Sequence, residues 1–399
     1  MTAAVETMRP PKTGVGPIEW LRRNLFSSVP SALMTILLGG ALVWLAATIG
    51  TWALTEARWS VVGDYMRIFL IGRYPGEETW RIWLLLTVLS VLAGLSAGVF
   101  GHGSRMLALI VAAIQLMLGG LILASPIGLV AAAAVAGNAL VVGATSIIGR
   151  WLPIPRRALV IAWVASLPLA FYLLAGYAGT PLASVGASVW GGLMLTILLG
   201  TVGIILSFPL GVLLALARRS SLPAVRIIST GYIELIRGVP LVTILFMADI
   251  ILPLFLPSEL RLDRVARAIG GITLFSAAYV AENVRGGLQA IPTGQVEAAQ
   301  ALGLTGVQTN LSIVLPQALR AVIPANVGLF ISLLKDTTLV TVIGLTELLG
   351  IGSAVLTQPA SFGATMEVYA FIGAVFFILC YAMSQASYRL ERRLGVGTR

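Results

Sequence analysis

The chain has 399 residues, 58% of them hydrophobic and 11% charged, with a mean hydropathy of +0.97. Sixteen acidic and twenty-six basic residues cannot clothe a soluble domain of this length, so lipid is the solvent its surface meets. The net charge of +10 fits the positive-inside rule of membrane proteins, and no nucleic-acid partner is expected. The apolar runs are too long for the short alternating strands of a membrane barrel. One cysteine, Cys380, and one histidine, His102 between two glycines, exclude a disulfide framework, a Cys/His metal cluster and a histidine-based triad. His102 is expected in a short turn.

In chain order the apolar runs predict an all-α polytopic protein of about ten transmembrane helices. The first five are Ser31–Ala53, Ile82–Phe100, Met106–Ala124, Ile127–Ile148 and Ala158–Tyr177. The last five are Val189–Ala217, Val239–Leu256, Ala268–Ile291, Leu319–Gly344 and Met366–Tyr388. Each approaches the ~20 residues that a 1.5 Å rise needs across about 30 Å of hydrocarbon. The third and fourth, split only by Ser125-Pro126, leave open a re-entrant pair. The first run is too long for the h-region of a secretory signal and reads as an anchor that stays.

Basic residues set the orientation. With the N-terminus inside, the inner segments hold 17 of them, among them Arg9, Lys12, Arg22, Arg23, Arg150, Arg156, Arg157, Arg218, Arg389, Arg393 and Arg399. The outer segments hold 7, including Arg58, Arg73, Arg261 and Arg264, so both termini are expected in the cytoplasm. Three parts follow: a tail over 1–30, about five helices over 31–180, and a more polar half over 181–399. In the first helices, Val130–Val135 with Gly137 and Gly143 predicts small-residue packing, and no chemistry is visible there.

Between the eighth and ninth runs lies a loop over 292–317. Pro292-Thr293-Gly294 can open a helix, and Gly303 suits its left-handed end. Thr305 with Gln308 is a capping-box pattern for a second short helix, which Pro316 is expected to stop. Ala298 and Ala299 are small enough for close approach by another protein. Glu297 is read near a helix start, where the dipole favours an anion.

Glu297-Ala298-Ala299, Gly303, Ile313, Leu315 and Pro316 reproduce without a gap the cytoplasmic coupling pattern of type I ABC importer permeases, a family this chain resembles. Its polar amino-acid branch (histidine, glutamate and arginine permeases) is similar at Trp190–Thr196, Tyr232–Leu241, Ala278–Gly287 and Leu333–Leu339. Thr338 stands where that branch usually has Ser. The likeness covers roughly Val189–Arg393, and Gly72-Arg73-Tyr74-Pro75 resembles the longer permeases of general L-amino-acid importers. The resemblance implies a permease core over 181–399 whose loop docks an ATPase. It also implies partners: a homologous second permease subunit, two ABC ATPases and a periplasmic amino-acid-binding protein. The only lysines are Lys12 and Lys335, neither after a glycine, so no Walker A loop is present here. ATP and magnesium are then expected on the partner ATPase, with no cofactor on this chain.

Ionisable groups inside spans are costly and point to function. The substrate-pathway candidates are Asp336, Thr337, Lys335, Glu282 and Arg285. Glu282 and Arg285, three apart, can pair on one helix face. Asp336 with Thr337 and Thr338 could meet the ammonium of an amino acid, or serve an interface or gate. Asp249 can reach the outer interface, and Glu234 with Arg237 is read as a second helix-entry pair. The alternative reading is an ion-coupled secondary transporter, which predicts inverted repeats and broken helices at matched positions. A membrane-embedded enzyme and a pure assembly protein explain less of the polar second half.

Overall fold

The computed structural model describes residues 16–177, 179–257 and 262–395. Arg9, Lys12, Arg261 and Arg399, used above for orientation, lie outside the described residues. The regular elements among the described residues are helical, with two isolated backbone bridges. Packing divides the chain into Met1–Arg58 and Trp59–Arg399.

The first unit holds α1 (Pro17–Asn24) and α2 (Val29–Thr51). The end of α1 carries Arg22 and Arg23, and Arg23 pairs with Glu19 at 3.1 Å. Ser28 caps α2 through the Ser31 N–H. None of the α2 residues is buried, as suits a helix apolar on every side and bathed in hydrocarbon.

The second unit opens with the short α3 (Trp59–Asp64) and α4 (Met66–Ile71), then α5 (Trp80–Val99), α6 (His102–Leu123), α7 (Leu129–Trp151) and α8 (Arg156–Ala175). His102 is the first residue of α6, not a turn residue. The third and fourth predicted runs are two full helices of 22 and 23 residues, so the re-entrant alternative is not what forms. Close packing comes from glycines other than those expected. Gly94 and Gly98 of α5 abut Thr145 and Gly149 of α7, whereas Gly137 and Gly143 face open space.

The remainder is α9 (Gly192–Arg218), α10 (Pro223–Arg237), α11 (Leu241–Phe246), α12 (Leu252–Phe255) and α13 (Arg264–Gln289). After these come α14 (Thr293–Ala301), α15 (Gly306–Thr309), α16 (Leu315–Ala321), α17 (Ile323–Asp336), α18 (Leu348–Leu356) and α19 (Thr365–Leu394). Among the described residues, eight helical stretches are long and apolar enough to cross a membrane. The predicted seventh span differs: α11, a π-helical turn and α12 together run only from Leu241 to Phe255, meeting α10 at a 108° bend. Gly238 and Pro240 lie at that bend, where Pro supplies no N–H to continue the helix. The eighth is α13, whose arginines and Glu282 make it less apolar than its neighbours.

The direction of α9 defines two ends about 40 Å apart, 27 residues at 1.5 Å each. Arg218 lies at the end bearing the 292–317 loop, through its contact with Glu282 of α13. Gly192 lies at the far end, where its N–H donates to Thr346 O at 2.9 Å.

At that far end the first helices lock onto α9. Gly72 bridges Trp190, and the Arg73 N–H donates to Val189 O at 3.1 Å. Gly72 has φ +64°, and a Cβ there would sit 2.6 Å from Gly191 Cα, so only glycine fits. Tyr74 is fully buried, with its hydroxyl donating to Leu174 O at 2.9 Å. Burial pushes its phenol above the ordinary value, although Arg81 beside it pulls the other way. The Gly-Arg-Tyr-Pro segment is therefore a joint.

Candidate functional site

The 292–317 loop folds as a capped pair. Gly303 takes φ +78° just past α14. Thr305 accepts from the Gln308 N–H at 3.3 Å while Gln308 Oε1 accepts from the Thr305 N–H at 2.9 Å, a complete capping box. Pro316 does not end the second helix. The chain widens into a π-helical turn over Asn310–Val314, and Pro316 follows as the second residue of α16 in a continuous helix, the widened turn ahead of it making room for its ring. Glu297 is the fifth residue of α14, beyond the turn that the dipole favours.

Glu297 and Ala298 are exposed, Ala299 is buried, Ile313 and Leu315 are half-buried, and Pro316 is exposed. Val314 and Ala318 pack with Val284 and Leu288 of α13 in one cluster. The loop therefore rests on α13 through close contact. The sequence reading misses Leu302, Val307 and Leu311, which are 82%, 68% and 54% exposed. These three apolar side chains stand exposed on an otherwise polar loop, and they are visible in the sequence once the helix ends are known.

The five pathway candidates separate into engaged and unengaged groups. Glu282 accepts from Arg285, and its carboxylate also meets Arg218 and Arg237, each at 3.5 Å. Glu234 pairs with Arg218 at 3.0 Å, not with Arg237 as the spacing suggests. Arg237 instead faces Glu282 and lies 5.7 Å from the Tyr279 ring centroid. These five charges form one clasp across α9, α10 and α13. Thr337 is fully buried, its hydroxyl donating to Leu334 O at 2.7 Å.

Lys335 is exposed and Asp336 half-buried. Among the described residues no opposite charge lies within 4.0 Å of either. They stand where α17 tightens into the 3-10 segment Thr337–Ile343. Asp336 is thirteen residues from Ile323, about 20 Å along the helix, which is mid-depth. A helix that tightens at mid-membrane beside a lysine and an aspartate with no salt bridge to another helix offers polar groups there.

At the far end a second polar knot is built on Glu347, fully buried as the cap of α18. Its carboxylate accepts from Leu349 N and Gly350 N, both at 2.9 Å, from Thr341 at 3.0 Å and from Thr196 of α9 at 3.3 Å. Burial pushes this carboxyl above its ordinary value, and the four donors pull it partly back. Asp249, expected near an interface, is held at this end by Arg264 and Arg267 at 3.1 and 3.0 Å.

The described structure is a helical bundle with spanning helices, a capped loop at one end and a polar tightened turn at mid-depth. Residues 207–396 match the family described as binding-protein-dependent transport system inner membrane component. The chain is 36% identical over 394 residues to the inner membrane amino-acid ABC transporter permease protein YhdY of Escherichia coli, covering 95% of this chain and 93% of that one. It is 37% identical to the glutamate/glutamine/aspartate/asparagine transport system permease protein BztC of Rhodobacter capsulatus, covering 96% and 95%. Both likenesses run through the first helices as well as the last. A solved amino acid ABC transporter with histidines aligns over 51% of this chain and 92% of that one, at 30% identity and a TM-score of 0.46. The chain belongs to the family of binding-protein-dependent transport system inner membrane components, and is a multi-pass inner-membrane ABC transporter permease.

Proposed function

We propose that this permease imports amino acids, with the energy of ATP delivered through the 292–317 loop by separate ATPase subunits. The observation that carries the reading is the loop itself: a capped, rigid pair of short helices that exposes Leu302, Val307 and Leu311 and packs directly onto α13. Glu297, Ala298, Ala299, Gly303, Ile313, Leu315 and Pro316 shape this unit, which fits into a groove of an ATPase. The loop end then faces the cytoplasm, as do both termini, and the Glu347 end faces a periplasmic binding protein. Two ATPases and a homologous second permease complete the assembly, with ATP and magnesium held on the ATPases and no cofactor on this chain.

The substrate class is supported by the relatives, whose names specify amino acids, and by the chemistry at mid-depth. A zwitterion needs an acceptor for its ammonium and a donor for its carboxylate, and Asp336 and Lys335 stand at the tightened end of α17 without a salt bridge to another helix. Glu282 and Arg285 satisfy one another, so they hold helices together and take part in the pathway through that. Thr337, buried and bonded to its own helix, packs the start of the 3-10 segment against Gly200 of α9. An ion-coupled transporter working alone leaves the exposed loop without a use.

Purification of the tagged chain in mild detergent tests the assembly. An ATPase and a second permease should remain bound, and replacing Leu302, Val307 and Leu311 together by Ser should release the ATPase alone. A chain that stays monodisperse without either partner overturns the proposal.

A further inference from the structure

Glu347 is a fully buried carboxylate at the end of the molecule remote from the coupling loop. An ionised carboxylate accepts hydrogen bonds and donates none, and the donors around this one come from three elements. Oε1 accepts from the Thr341 hydroxyl at 3.0 Å and the Gly350 N–H at 2.9 Å. Oε2 accepts from the Leu349 N–H at 2.9 Å and the Thr196 hydroxyl at 3.3 Å. Thr196 in turn accepts from the Leu348 N–H at 3.1 Å. The two N–H groups are the ordinary cap of α18, but the two hydroxyls tie α18 to α9 and to the 3-10 segment Thr337–Ile343. The chain can fold back to make these bonds because Gly344 ends the segment at φ +79°.

The same segment is seated on α9 at its other end. A Cβ on Gly200 would lie 3.0 Å from Leu334 and 3.9 Å from Thr337, and one on Gly203 would lie 3.4 Å from Leu333. Thr341, four residues beyond Thr337, faces elsewhere. Four steps of 3-10 helix end about 120° past a full turn, against about 40° for an α-helix. Thr341 is thereby swung against α18, where a Cβ on Gly350 would lie 3.2 Å from its hydroxyl. A 3-10 run of seven residues is longer than the usual three or four, because its hydrogen bonds are poorer than those of an α-helix. Such a run persists when both ends are held, here by Gly200 and by Glu347. Released at Thr341, it can return to α-helical pitch, shortening by about 0.5 Å and twisting by about 20° per residue. Lys335 and Asp336 stand at its start and move with it.

We infer that Glu347 is a positioning residue for transport: by gripping Thr341 it keeps the 3-10 segment wound and so fixes where Lys335 and Asp336 stand at mid-depth. The inference rests on the reading of those two as groups that meet the substrate. Glu347 itself touches none.

Thr341→Val removes one donor and leaves Glu347 the other three, so the chain still folds, and Thr341→Ser restores the hydroxyl. Spin labels on Lys335→Cys and on the exposed Ser353→Cys of α18, in a Cys380→Ser background, report the position directly. Thr341→Val should shift their separation by about 2 Å, and Thr341→Ser should leave it in place. In proteoliposomes holding the assembled transporter, radiolabelled glutamate, glutamine, aspartate and asparagine serve as probes. Thr341→Val should raise the concentration for half-maximal uptake several-fold at an unchanged maximal rate, and Thr341→Ser should return it to the wild-type value. Labels that do not move overturn the inference, whatever uptake does. A lower maximal rate with an unchanged half-maximal concentration also overturns it, since a merely structural bond behaves that way. Labels that move while uptake is unaltered remove Lys335 and Asp336 from the pathway, and the inference falls with the reading beneath it.

Discussion

Single residues govern both ends of this permease. Gly303 sits at φ +78°, and the space a Cβ would take is empty to 4 Å, so a side chain there meets backbone strain and no clash. Gly303→Val should cost about 2 kcal/mol at the turn. We expect membrane insertion to be retained and ATP-driven uptake to fall at least tenfold, and normal uptake removes the loop from the coupling path. Glu347 is the counterpart at the far end. Glu347→Ala leaves the Leu349 and Gly350 N–H groups buried without an acceptor, at a cost of about 3 kcal/mol. Because burial raises the Glu347 carboxyl, the folded chain holds this proton to higher pH than the unfolded one. Its contribution is thus fully present below the ordinary value of 4.5 and is lost as pH rises toward the folded value. The melting temperature of the Glu347→Gln variant should gain on the wild type over that rise. A difference independent of pH shows that Glu347 does not titrate there.

Among the elements, the charge clasp and the tightened end of α17 divide the work that spacing alone assigns to one group of residues. Glu282 faces three guanidinium groups with its side chain 23% exposed, while Glu234 faces one and is 56% exposed. Removing Glu282 leaves three cations crowded between α9, α10 and α13, and Glu282→Ala should cost about 1–3 kcal/mol. Glu234→Ala should cost under about 1 kcal/mol. Thermal unfolding in detergent separates the two, and equal effects contradict a clasp centred on Glu282. At the end of α17, Asp336→Asn should raise the substrate concentration needed for half-maximal uptake without changing ATPase docking. An unchanged uptake curve excludes Asp336 from the pathway.

At the level of the whole molecule, the spans and the coupling loop are legible because lipid and capping write strong local signals. Runs of twenty apolar residues give helices, and Thr305 with Gln308 gives a capped turn, whatever surrounds them. The differences come where packing decides. Arg218 takes Glu234 from Arg237 because α9 ends beside α10, which no three-residue spacing records. Pro316 reads as a stop because a π-helical turn ahead of it leaves no trace in the sequence. Gly72 stands out in the sequence only as one letter of Gly-Arg-Tyr-Pro, whereas the structure gives it a left-handed conformation pressed against Gly191. Gly72→Ala should therefore lower the stability of the full chain by more than the ~1 kcal/mol of an ordinary glycine substitution. A smaller loss in melting experiments shows that the joint yields.

That joint also sets a clock on synthesis. Gly72 must wait for Trp190, and the knot around Thr196 must wait for Glu347 and Leu348; 276 residues separate Gly72 from Leu348. At ~5–20 residues per second, the far face stays open for about 14–55 s after Gly72 has been made. During that interval Phe69, Gly192 and Thr196 lack the Leu348, Thr346 and Glu347 partners that later cover them. A nascent chain probed by a protease on that side should be cut between Trp59 and Pro75 until translation passes Leu348, and resist afterwards.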